Sequence, residues 1–165
     1  MSQLPVTEKT MASEHNKKTP INTGLAFRIG LHYLVAPLCD VNAVLAPPSV
    51  ITPVPKSQAW VLGVISINGA ILPLIDLAHY FQGRPAAHSR RSRILVINHA
   101  DIRCSVLVDE VFSLHDIPST TTKASDDSSA VRPYLTASYV KNKQQWHVFN
   151  LRQLLQSPQF MTIAA

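Results

Sequence analysis

Seven histidines, two cysteines and two adjacent carboxylate pairs are the residues here whose types can do chemistry, and their spacing decides whether they do. His15, His32, His79, His88, His99, His115 and His147 fall singly. None stands in H-x-x-x-H or H-E-x-x-H spacing, and none forms a metal-like pair with Cys39 or Cys104. A hydrolytic serine needs a G-x-S-x-G elbow, and a bound phosphate wants a glycine-rich loop ahead of a helix; neither pattern occurs. Asp109 and Glu110 are neighbours in what reads as one continuing strand, so they are expected to point to opposite faces and not to share a site. Asp126 and Asp127 lie in a Ser/Thr-rich stretch, a poor place to preorganise catalysis. Asp76 follows an apolar run and precedes Leu77-Ala78-His79-Tyr80, the place of a helix N-cap. The expectation is a protein with no catalytic residues, no cofactor and no metal.

Charge and cysteine usage narrow the class. The net charge of +5 has a local origin: Arg84, Arg90, Arg91 and Arg93 lie together with no acidic residue among them. A surface tracking nucleic acid spreads its cations along a face and interleaves aromatics. A solvated basic loop is therefore the expected reading, with a small β domain binding nucleic acid through that loop as the alternative. Cys39 and Cys104 are too far apart in sequence for a C-x-x-C motif and read as buried, reduced thiols acting as small hydrophobes. The stretch Val61–Leu77 is interrupted by Asn68, Gly69, Pro73 and Asp76 and is short of the roughly 20 residues a spanning helix needs. Nothing at the N-terminus reads as a signal peptide. The chain is expected to be cytoplasmic, without direct membrane insertion.

What positions these residues is a succession of short apolar runs. In a chain of 165 residues, hydrophobic residues make up 46% and charged ones 15%, against about 25% in a typical soluble domain. There is material for a core, and part of the surface is expected to be covered by something else. Residues 1–22 are polar and aperiodic, an expected flexible tail; the domain is expected over 23–158, with a short tail over 159–165. Strand-length runs begin at Leu25, Tyr33, Val41, Val61, Ala70, Arg93, Ile102, Asp109, Tyr134 and Trp146. The two runs around Asn68-Gly69 read as a hairpin with a type I′ turn. Ala78–Phe81 reads as a helical turn, and Leu151, Leu154 and Leu155 as a short helix capped by Asn150 and ended by Pro158. Trp60 is expected to be a core residue. Ser119–Ser129 holds no core material and is expected to be the most mobile internal loop. The second half repeats the texture of the first, and the fold class is all-β, a barrel or sandwich.

Two stretches carry a resemblance. Gly63-Val64-Ile65-Ser66-Ile67-Asn68-Gly69-Ala70-Ile71-Leu72-Pro73-Leu74-Ile75-Asp76-Leu77 resembles the G-V-x-N-[LV]-R-G-x-x-x-P-[VI]-x-D-L signature of CheW-like domains. Val106-Leu107-Val108-Asp109-Glu110-Val111 resembles that family's second signature, in the expected order and at the expected separation. The likeness runs from about Gly24 to Ser157 and is greatest to members serving type IV pilus chemosensory systems. It implies two five-stranded SH3-like β-barrel subdomains around a shared core, with short helices, including one near the C-terminus. It also implies a non-catalytic adaptor of a chemotaxis-like signal transduction system controlling twitching motility. The implied partners are the regulatory domain of a CheA-type histidine kinase and the cytoplasmic tip of a methyl-accepting chemoreceptor, met within membrane-bound receptor arrays. The implied receptor-binding residues are Val41, Ala43, Val44, Ile67 and Asn68. Ala43 stands where the family usually has Glu, and Asn68 where it has Arg. Either the receptor is met differently, or it is met weakly; Asn68 also has a purely structural reading, since Asn-Gly suits a type I′ turn.

Overall fold

Turn chemistry and alternation set ten strands and two short helices in a computed structural model that describes residues 23–86, 88–99, 102–123, 129–160 and 162. The expected tail over 1–22 and the middle of the expected mobile loop, 124–128, lie outside these residues. The strands are β1 (Thr23–Ile29), β2 (His32–Pro37), β3 (Val41–Leu45), β4 (Val61–Ile67), β5 (Ala70–Asp76), β6 (Arg93–His99), β7 (Ile102–Val108), β8 (Glu110–Asp116), β9 (Leu135–Lys141) and β10 (Gln144–Phe149). Helix α1 (Leu77–Gln82) follows β5, and α2 (Leu151–Leu155) follows β10. Asp76 Oδ1 accepts from His79 N and Asn150 Oδ1 from Gln153 N, so both expected caps are present.

The strands form two five-stranded sheets, ordered β8-β1-β2-β10-β9 and β3-β6-β7-β5-β4. Each sheet curls, and the segment after one edge strand pairs with the other edge. Thr52 exchanges both backbone hydrogen bonds with Val64 (3.0 and 2.8 Å), and Thr122 exchanges both with Ser138 (2.9 and 2.9 Å). Gly63 makes the first closure possible: its φ is +146°, and a Cβ there would run into the Thr52 carbonyl. Its two ends tied in this way, each sheet is a small barrel, matching the implied SH3-like pair.

The two barrels are built alike. In each, two antiparallel pairings lead to one parallel pairing (β2–β10 or β7–β5) and then to an antiparallel hairpin followed by a helix. The spacing is regular: 74 positions separate Val61 from Leu135, Asn68 from Asn142 and Asp76 from Asn150, the equivalent points of hairpin, turn and cap. Seventy positions separate Thr23 from Arg93 and His32 from Ile102, the starts of the other hairpin. The chain is thus two copies of the order strand-strand-strand-strand-strand-helix. Each copy's first hairpin sits in the barrel of the other copy's last three strands. The chain therefore crosses between barrels twice, at Leu38–Asp40 and at Asp109.

That arrangement explains why several strands read as continuous apolar runs. In β6, Ile94 and Val96 fill their own barrel with Ile65, Leu72, Leu74 and Leu107, while Leu95 and Ile97 turn to a core between the barrels. The shared core also takes Phe27, Ile29 and Leu34 from one barrel, Ile75, Val106 and Val108 from the other, and Phe149, Leu151 and Leu154 near the C-terminus. A strand buried on both faces needs no polar alternation. Trp60 packs against this core with its ring 5.1 Å from Tyr80, as expected of a core residue. Phe160 is fully buried, 5.2 Å from the Tyr80 ring, so the packed chain runs beyond the expected boundary at residue 158.

Candidate docking surfaces

Four of the five implied contact residues lie on the two edge strands of one barrel, and Asn68 is in the turn that follows one of them. Ala43 on β3 and Ile67 on β4 are both half-buried against the same apolar cluster, although their strands are opposite edges of the flat sheet order. Barrel curvature brings them onto one cluster. Val44 is 40% exposed and pairs across to Leu95. Val41 is half-buried against the shared core, because a register shift between Val41 and Ala43 interrupts the alternation of β3. Asn68 is exposed at the hairpin tip with φ +50°, followed by Gly69 at +83°. Two successive positive φ values are the type I′ geometry, so the structural role of Asn68 is realised. The equivalent turn in the other barrel does the same with Asn142 (+51°) and Lys143 (+67°).

Further apolar side chains are exposed beside these edges and on the edges of the other barrel. Ile71 on β5 is 65% exposed, and Val50 follows β3. The other barrel exposes Phe112 and Leu114 on edge strand β8 and Val140 on edge strand β9. The i, i+2 spacing of Phe112 and Leu114 is the sequence signal for one outward face, but it does not say which face is outward, since inward residues alternate identically. A cleft of about 480 Å³ opens beside the first crossover, lined by Thr23, Pro37, Leu38, Cys39, Ile117 and Ala137 among others.

Two ion-pair clusters hold the crossovers. Asp40 is buried and accepts from Arg152 Nε at 2.8 Å, which raises the guanidinium pKa. At the second crossover, Asp109 Oδ2 accepts from Gly30 N at 2.6 Å and lies 3.8 Å from Arg28 Nη1. Glu110 is 3.5 Å from Arg28 and 3.7 Å from Arg91. The expectation that Asp109 and Glu110 point apart is overturned here. Asp109 is a bend between β7 and β8, so strand alternation does not apply and both carboxylates meet one guanidinium. The basic loop likewise finds a carboxylate that its local sequence lacks, since Arg91 pairs with Glu110.

The titratable groups are set for structure. Cys104 is buried as expected, which pushes its thiol up to about 12 and leaves it protonated and weakly nucleophilic, whereas Cys39, expected to be buried, is exposed at the first crossover. His115 is enclosed, with its Nδ1 2.7 Å from the Tyr139 hydroxyl and its ring 4.6 Å from Trp146. Burial, then the Lys141 charge, lowers its pKa, while burial pushes Tyr139 up to about 12. Among the described residues no group of three or more His, Cys, Asp or Glu is placed to hold a metal ion, and no helix is long and apolar enough to cross a membrane. What this surface offers chemically is apolar strand edges and guanidinium groups, the means of binding another protein.

Comparison with known proteins agrees with that geometry. The CheW-like domain family matches residues 23–159. Protein PilI of Pseudomonas aeruginosa is 31% identical over 144 residues, covering 86% of this chain and 80% of that one. The chemotaxis protein CheW of Thermotoga maritima is 33% identical over 90 residues, 54% of this chain and 58% of that one. Among solved structures, the scaffolding protein TtCheW of Thermoanaerobacter tengcongensis superposes with a TM-score of 0.75 at 19% identity, covering 90% of this chain and 97% of that one.

Proposed function

The chain belongs to the CheW-like domain family, and on that premise we propose that it is a non-catalytic adaptor joining a chemoreceptor to a CheA-type histidine kinase. The receptor partner is the cytoplasmic tip of a methyl-accepting protein, and the kinase partner is its regulatory domain. The similarity to PilI over most of both chains supports a system that controls type IV pili and twitching motility. The observation that carries the reading is the pair of apolar barrel edges. Val44, Phe112, Leu114 and Val140 lie exposed on edge strands, with Ile71 exposed on the strand beside one edge, and such surface on a small protein marks interaction sites. The receptor would meet the barrel of β3 to β7, at Val41, Ala43, Val44, Ile67 and Asn68. Coupling then works by population shift: a receptor movement changes which kinase conformation the adaptor binds better.

The test mixes the full chain with a pilus-type CheA regulatory domain, and separately with a receptor tip, and follows size-exclusion chromatography by light scattering. A complex near 1:1 with each is expected. Elution of the protein alone from both mixtures, at protein concentrations of about 50 μM, where a micromolar Kd would show, would overturn the adaptor reading and leave the fold standing.

A further inference from the structure

The connection between the two copies, residues 83–92, joins helix α1 to strand β6. It carries Arg84, His88, Arg90 and Arg91, all exposed, and Arg93 at its end. Side-chain hydrogen bonds hold the described backbone at 86 and over 89–92. Asp76 Oδ2 accepts from Ala86 N (3.0 Å), Ser92 Oγ accepts from Ser89 N (3.0 Å), and Ser89 Oγ accepts from Arg91 N (3.0 Å). Arg93 Nη1 donates to the carbonyls of Arg90 (2.8 Å) and Ser92 (2.7 Å), and Arg91 is tied to Glu110. Arg84 and Arg90 make no ion pair among the described residues. Nor can the protein's other described carboxylates easily answer them. Asp40, Asp109 and Glu110 are in ion pairs and Asp76 is a buried cap, which leaves Asp116.

We infer that the two described stretches of this loop, 83–86 and 88–92, offer Arg84 and Arg90 as a docking site for a carboxylate-rich peptide segment of a partner protein. Every strong cation of the loop is arginine, whose planar fork matches a carboxylate in a bidentate pair. A nucleic acid fits less well: the cations are confined to one short connection, and no Phe, Tyr or Trp lies between Gly83 and Arg93 as a stacking platform. Arg84 and Arg90 lie outside the strands, and although Arg91 ties the loop to Glu110 on edge strand β8, peptide binding to these arginines involves neither receptor nor kinase and does not depend on the adaptor reading.

Fluorescein-labelled decaglutamate, titrated with the full chain and read by anisotropy, tests the inference. Saturable binding is expected, weakened about tenfold in the Arg84→Glu/Arg90→Glu double variant. The Lys141→Glu/Lys143→Glu variant carries the same change of net charge at the other hairpin and should weaken binding less than about twofold. Equal loss in both variants would show general charge attraction and overturn a defined site. So would the absence of saturation, or tighter binding to a single-stranded decanucleotide or to phosphatidylglycerol vesicles than to the peptide. Circular dichroism of both variants separates loss of binding from loss of fold.

Discussion

At the scale of single residues, Asn68 combines a structural duty with a place among the residues proposed to meet the receptor. Asn68 holds a left-handed turn, which asparagine tolerates better than most residues. Asn68→Arg should therefore lower stability by up to about 1 kcal/mol in thermal unfolding. It should also strengthen binding to the receptor tip, because the hairpin tip still presents position 68 to solvent. Unchanged affinity would mean this tip is not the receptor face. His115 gives a second prediction. Its folded pKa is lowered from 6.5, so the unfolded chain binds the proton more readily. Stability from the neutral, enclosed ring is present above 6.5 and is lost as pH falls below it toward the folded value, by at most about 1.4 kcal/mol per pH unit. Urea unfolding between pH 7.5 and 5, compared with the His115→Gln variant, should show a shallower acid slope in the variant. Both caps were legible in the sequence, because a cap is decided within four residues. The meeting of Arg28 with Asp109 and Glu110 was not, because it depends on a bend that ends one strand and starts the next.

At the scale of elements, the strands were legible nearly throughout and their closure was not. Runs such as Val61–Ile67 and Arg93–Asn98 announce themselves by β-branched content, and Asn68-Gly69 announces the hairpin. The segments that close the barrels, around Thr52 and Thr122, are polar or proline-flanked single bridges with no periodicity to read. Gly63 was visible as part of a signature, yet its physical duty appears only when Thr52 is seen against it. Gly63→Ala should cost about 1–3 kcal/mol, since a Cβ there meets backbone that cannot swing aside. Gly83→Ala is the matched control: it also has positive φ, but its Cβ would meet open space, so it should cost less. Equal unfolding midpoints for the two variants would mean that the Thr52–Val64 bridge contributes nothing to the barrel. For the candidate site, the sequence located β3 and the β4–β5 tip but could not tell that Val41 turns inward, because the register shift beside it is set by pairing with β6.

At the scale of the whole molecule, the repeated texture of the two halves was legible, but the exchange of hairpins between them was not. Pairing β1 with β8 and β2 with β10 joins residues some eighty or more positions apart, and nothing local in either partner specifies the other. The exchange makes one strong prediction about chain connectivity. If the two copies are equivalent, the loop over 83–92 and the gap between α2 and β1 are equivalent connections, and either should serve as the place where the chain ends. A circular permutant that begins at Ser92, runs through α2 and Phe160, and crosses a flexible linker of about ten residues to Thr23 should then fold to the same two barrels. The linker must begin after Phe160, because that ring belongs to the packed core. Monomeric elution and a single cooperative unfolding transition are expected, at a midpoint slightly below the parent because the longer closure costs entropy. Two separate transitions would show instead that the barrels are independent units, and that the core built jointly by Phe27, Leu95, Phe149 and Leu154 does not bind them into one cooperative body.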